Sequence, residues 1–123
     1  MTYLGDNGYS PSINSDGDIL FHYDDGNYYI FIEEDDPGFF WVVYPNFWPI
    51  ESDFERAKVA AAASYASRMT KVAKVYISGS NNNNTSISVE ILLRTPEDFK
   101  LFFNRILSII ASARNHFVQQ MNR

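Results

Sequence analysis

No cysteine occurs among the 123 residues. That absence removes disulfide frameworks, thiolate nucleophiles and cysteine-based zinc sites together. No apolar run approaches the ~20 residues that span a bilayer. The start, Met1-Thr2-Tyr3-Leu4-Gly5-Asp6, has neither a basic region nor a long apolar stretch, so no secretory signal is expected. Without one, the sequon matches at Asn83-Asn84-Thr85 and Asn84-Thr85-Ser86 are chance. No GxxxxGKS/T or GxGxxG pattern supports a nucleotide cradle. His22 and His116 are the only histidines, and their spacing suggests no triad or metal ligand set. Catalytic, cofactor-binding and metal-binding residues are therefore not assigned.

Basic residues are missing from one half of the chain. Residues 1–55 hold twelve of the fifteen acids and no Lys or Arg, a charge of −12. Residues 56–123 hold all ten basic residues and three acids, a charge of +7, which leaves −5 overall. A nucleic-acid-binding domain is normally basic, and the sequence pI of about 4.8 argues against one. The simplest expectation is that the halves face each other in one fold and partly neutralise. The acids cluster at Asp24-Asp25 and at Glu33-Glu34-Asp35-Asp36. Neither cluster follows the twelve-residue calcium-loop pattern, so both read as turns.

What remains has the composition of one folded domain: 46% hydrophobic and 20% charged residues over an ordinary domain length. Residues 1–17, with Gly5, Gly8, Pro11 and Gly17, read as a short helix or turn followed by loop. Ile19 to Tyr23 is a strand. Asp25-Gly26 is a hairpin turn signal, since glycine tolerates positive φ. Asn27 to Glu33 is a second strand, Asp35-Asp36-Pro37-Gly38 a second turn, and Phe39 to Tyr44 a third strand. These make an antiparallel meander over 18–44.

Pro45 and Pro49 end the sheet run. Ser52-Asp53-Phe54-Glu55 is a capping box, opening a helix over 52–70 whose stripe is Phe54, Ala57, Ala61, Tyr65 and Met69. Residues 71–94 read as a hairpin. Its second strand alternates: Ile87, Val89, Ile91 and Leu93 on one side, Ser86, Ser88, Glu90 and Leu92 on the other. Gly79 to Asn84 between the strands is expected to be a loose, dispensable loop. Thr95 as N-cap, Pro96 in the first turn and the acids Glu97 and Asp98 open a final helix over 95–121. Its apolar face is Phe99, Phe102, Phe103, Ile106, Ile109, Ile110, Ala113 and Phe117. The expected fold is α+β: a two-layer sandwich of a five-stranded antiparallel sheet with helices on one face, in the order (α)βββαββα.

That order resembles the YbjN-like family, bacterial proteins with a proposed sensory-transduction or other regulatory role and a type III secretion chaperone-like fold. The residues carrying the resemblance run nearly the whole chain: Tyr3-Leu4, Gly8-Tyr9-Ser10-Pro11 and Asp16-Gly17-Asp18-Ile19-Leu20-Phe21, then Tyr28 to Phe31 with Asp35-Asp36, and Tyr44-Pro45-Asn46-Phe47. Lys71-Val72-Ala73-Lys74-Val75-Tyr76 and the Phe-rich last helix complete it. The resemblance implies an αβββαββα plan with sheet order 1-2-3-5-4, the first helix confined here to Thr2 to about Asn7. It implies a regulatory or chaperone-like binding role and no established enzyme activity or cofactor. It transfers no functional residue.

Aromatic residues are the most informative feature: 20 of 123, eleven of them between residues 21 and 48. A sheet covered on one side should alternate apolar and polar. The second strand does not: Tyr28, Ile30 and Ile32 fill one face, Tyr29 and Phe31 the other. The third is apolar on both, with Phe39, Trp41 and Val43 opposite Phe40, Val42 and Tyr44. Either the second-face rings shield one another, or a protein covers them. A nucleic-acid stacking platform would need basic residues among the rings, and this region has none. The expected role is non-enzymatic protein binding in a bacterial cytoplasm, by a homodimer or to a client, with no nucleic-acid or membrane partner. The expected contacts are Tyr29, Phe31, Tyr76 and Leu92. The alternative is a small acidic immunity or inhibitor protein that blocks a toxin, and the third reading an enzyme of unknown type.

Overall fold

The structure is a computed structural model that describes residues 2–24, 26–31, 35–36, 38–95 and 97–123. Expectations resting on Asp25, Ile32, Glu33, Glu34, Pro37 and Pro96 lie outside the described residues.

The chain runs α1 (Thr2–Asp6), β1 (Ser12–Ile13), β2 (Ile19–Tyr23), β3 (Gly26–Phe31), β4 (Phe39–Tyr44), α2 (Asp53–Met69), β5 (Ala73–Ser78), β6 (Asn84–Leu92) and α3 (Asp98–Met121). The strands form one antiparallel sheet in the order β1-β2-β3-β4-β6-β5. It has six strands rather than five. The addition, β1, pairs only Ser12 with Leu20 and Ile13 with Ile19, and two residues are too few to show a period of two. The other five strands keep the expected 1-2-3-5-4 arrangement.

One sheet face meets the helices. Phe21, Tyr28, Ile30, Val42, Ile87, Val89, Ala73 and Val75 point into a single core with α2 and α3. Phe103 of α3 is at its centre, with ring centroids 5.4 Å from Phe21, 5.1 Å from Phe99 and 5.9 Å from Tyr3. The short α1 contributes Leu4, which is fully buried. Tyr9 ties the N-terminal segment down: its carbonyl accepts from the amide of His22 and its hydroxyl reaches Asn104 Oδ1 at 3.3 Å.

Several local expectations change. Gly26 is the first residue of β3, paired with Tyr23, and does not have positive φ; Asp24 takes the left-handed φ of +49°. Glycine at 26 gives the rings room: a Cβ there would lie 3.0 Å from the Tyr44 ring and 3.1 Å from that of Tyr28, close enough that one of them would have to move. Ser52 caps α2, accepting from the Glu55 amide at 3.0 Å, but the Glu55 carboxylate returns to the Glu51 amide rather than to that of Ser52. The buried side of α2 is Val59, Ala62, Ala63 and Ala66. Of the expected stripe, Phe54 is 85% exposed, Met69 half-exposed, and Ala57 and Ala61 are in solvent. The expectation that small residues let this helix lie close holds, but the small residues that do so are Ala62, Ala63 and Ala66 rather than Ala57 and Ala61. In α3, Thr95 does not cap by its side chain; its carbonyl accepts from Asp98 N in a turn before the helix, and Glu97 holds the N-cap position. Phe102 is largely outside the core, while Leu107 and Met121 are inside it.

The 79–84 loop is anchored. Asn83 O accepts from the Ile50 amide at 2.8 Å and Asn82 O from Arg56 Nε at 3.2 Å, so the loop closes the backbone of the segment leading into α2. No ion pair among the described residues runs from Asp24, Asp35 or Asp36 of the meander to the basic half. Among the described residues the pairs are Arg56–Asp53, Lys74–Glu90, Arg94–Asp98 and Lys100–Glu97. Each lies within a helix start or between adjacent strands. The edge strand β5 is guarded from above: the Val75 amide donates to Ser67 Oγ of α2 at 2.8 Å, which removes a donor that an added strand would use.

Candidate protein-binding face

The register settles which rings share the uncovered face. Tyr29 lies across from Val43, which faces Ser88 and then Lys74. The next row is Phe31, Trp41 and Glu90; the next pairs Phe39 with Leu92. Tyr76 pairs with Ser86 toward the β5 edge. Among the described residues no helix packs on this side; α1, α2 and α3 all contribute to the core on the other.

The rings nonetheless touch. Tyr29 and Phe31 stack at 5.9 Å with planes 11° apart, and Phe31 meets Trp41 at 4.9 Å. Together they bury Val43 beneath them, 4% exposed without any helix above it. Tyr29, Phe31, Phe39, Trp41 and Tyr76 are each half-buried. Leu92 is 75% exposed. Mutual shielding is therefore real but incomplete. The indole N–H of Trp41 is buried in this cluster with no acceptor, a state that costs roughly 1–3 kcal/mol.

The β5–β6 side has another chemistry. Ser86 and Ser88 are fully buried between larger neighbours. Ser78 and Ser86 share a hydrogen bond, and Ser86 Oγ accepts from the Asn46 amide at 3.0 Å. Lys74 pairs with Glu90 and lies 5.9 Å over the Tyr76 ring. Burial pushes the Tyr76 hydroxyl up, partly countered by Ser88 and then Lys74.

Of the four expected contacts, Tyr29 and Phe31 adjoin. Leu92 sits at the end of the Phe39 row, and Tyr76 stands apart across β4 and β6. Trp41 and Phe39 were not among them, although the both-faced apolar pattern of β4 was the signal that places them here. Elsewhere, His22 is exposed on this face and His116 lies against the Tyr65 ring at 6.1 Å on the helical side. Asp24, Asp35 and Asp36 are exposed. Among the described residues no group of three His, Asp or Glu side chains is placed to hold a metal ion. No helix there is long and apolar enough to cross a membrane.

Comparison with solved structures places the architecture. YbjN from E. coli, described as a proposed transcription regulator, superposes with a TM-score of 0.62 and 15% identity, over 91% of this chain and 83% of that one. The fold is YbjN-like. An uncharacterized protein from Methanothermobacter thermautotrophicus superposes with a TM-score of 0.61 and 12% identity, over 98% of this chain and 90% of that one. At such identities the likeness extends to the YbjN-like fold alone. No family model and no curated protein matches the sequence.

Proposed function

We propose that this chain is a non-enzymatic protein-binding domain of regulatory or chaperone-like type, acting in a bacterial cytoplasm through its open aromatic face. The observation that carries the reading is the Tyr29–Phe31–Trp41 cluster, partly exposed on a sheet face against which no described helix packs, with an indole N–H lacking an acceptor. Fully burying a side chain of this size is worth roughly 1.5–3 kcal/mol, so a partner that completes the burial gains from each ring. An acceptor on that partner would also satisfy Trp41. A second copy of the chain is the simplest partner, because its face is always present.

The lone cation among the described residues of this face, Lys74, is already paired with Glu90. That argues against nucleic acid or an anionic membrane as the partner. The test is the double variant Tyr29→Ser/Phe31→Lys, followed by far-UV circular dichroism and sedimentation velocity. The expected result is an intact spectrum with a smaller sedimentation coefficient. A folded variant that sediments as the parent does at every concentration would leave the face self-shielding and remove the homodimer.

A further inference from the structure

On the opposite side of the sheet, where the β2–β3 turn approaches α3, lies a cavity of about 390 Å³ lined by Tyr23, Asp24, Tyr28, Tyr44, Ala111, Arg114 and Asn115. Its floor is aromatic. Tyr28 and Tyr44 stack at 4.6 Å, and Tyr23 meets Tyr28 edge-on at 5.9 Å. Gly26 lets these rings lie against the backbone, since a Cβ there would press on both Tyr44 and Tyr28. The roof is one helical face. Ala111, Arg114 and Asn115 stand at i, i+3 and i+4, and the small Ala111 leaves the space open.

The polar groups here make few bonds among the described residues. Among the described residues no ion pair forms on Arg114, and no hydrogen bond on the hydroxyls of Tyr23, Tyr28 and Tyr44. Burial of Tyr28, together with Tyr44, Tyr23 and Asp24, holds its hydroxyl in the protonated, donating form, against the pull of Arg114. Three phenol hydroxyls, a guanidinium and a carboxamide all donate; the Asp24 carboxylate only accepts. Such a lining asks for a ligand rich in acceptors and negative at one end, with a donor for Asp24 at the other. The volume falls in the range of small-molecule sites.

We propose that this cavity binds a small carboxylic acid carrying an amino or hydroxyl group, its carboxylate on Arg114 and the tyrosine hydroxyls and its donor toward Asp24. A planar guanidinium can grip a carboxylate with two parallel hydrogen bonds. The ring faces would stack along the ligand's short carbon chain.

The experiment is an NMR titration of the full chain, with a panel of L-amino acids, with malate and citrate, and with inorganic phosphate. It follows the Arg114 Nε–H and the Asn115 carboxamide, alongside thermal melts. At least one amino or hydroxy acid should shift both groups saturably and raise the melting temperature. Arg114→Gln should weaken that response about tenfold or more. Ala111→Leu should abolish it by filling the space. Both positions face solvent, so the far-UV spectrum should not change. No saturable shift with any acid up to about 10 mM overturns the proposal. So does a response that survives Ala111→Leu, or one that phosphate reproduces at equal affinity, which would make the cavity a bare anion site.

Discussion

On the helix-covered face Phe21, Phe40 and Tyr28 each meet a ring that fixes them, Phe103, Phe99 and Tyr44 in turn. On the open face Tyr29, Phe31 and Trp41 meet only one another among the rings of the described residues. Strand alternation delivered rings to both sides, yet α3 converts one set into a core and leaves the other as a surface. The difference lies in what comes to meet the rings rather than in the rings themselves. It explains why the buried Trp41 N–H lacks an acceptor: that side has no helix to supply one.

The sharpest way to break this comparison is to truncate one ring on each face. Phe103→Ala should cost about 3–5 kcal/mol, the usual range for a buried aromatic, read as a drop in the denaturant midpoint. Trp41→Ala should cost less, roughly 1–2 kcal/mol, because part of its surface is already in water and the unpaired N–H leaves with it. Equal losses would mean that the open face is packed like the core.

A smaller effect sharpens the covered side. Tyr28 has its hydroxyl raised above the ordinary value of 10.0, mainly by burial. A group raised in the folded state contributes its stability in full below its unfolded value, and loses it as the pH climbs through the folded one. The protein should therefore weaken above about pH 10, and Tyr28→Phe should weaken less steeply there. Urea midpoints at about pH 8 and about pH 11 test this; parallel losses in the two proteins would remove Tyr28 as the cause. Tyr9 and Tyr76 shift in the same direction, so the variant should be flatter, not flat. The smallest effect belongs to Phe54→Ser at the start of α2. The ring is 85% exposed, so the melting free energy should move by less than about 0.5 kcal/mol. A larger loss would return Phe54 to the core stripe that the helical spacing suggested.

The meander, the β6 alternation and the α3 face were legible because long periodic segments leave a clear signature. Ile87 and Val89 are buried as their alternation required. The face of α2 was not legible. A helix with Ala60-Ala61-Ala62-Ala63 offers small apolar residues all round, and only close contact with β5 and α3 selects Ala62, Ala63 and Ala66. Parity alone put Tyr29 and Phe31 on the open face, as the register shows. Trp41 as their partner needed the β3–β4 pairing, which a single strand does not encode. The Arg114 cavity was invisible for a similar reason: Tyr23, Tyr44 and Arg114 are far apart in the chain and meet only when α3 crosses the sheet.

The order of the elements along the chain has a consequence for synthesis. The meander, with nine aromatic residues between 21 and 44, leaves the ribosome before α3, the element that covers it. β4 must also wait for β6, whose Ile87 pairs with Tyr44. In that interval the nascent sheet is bare on both sides, the condition in which sticky segments from neighbouring chains meet. Residues 1–55 carry a charge of −12 with no counter-charge among them, so two half-made chains repel each other at the stage when attraction would do most harm. The cations arrive only with the helix and hairpin that finish the core. The lopsided charge, which makes few ion pairs among the described residues, opposes association between chains whose second half has not yet folded.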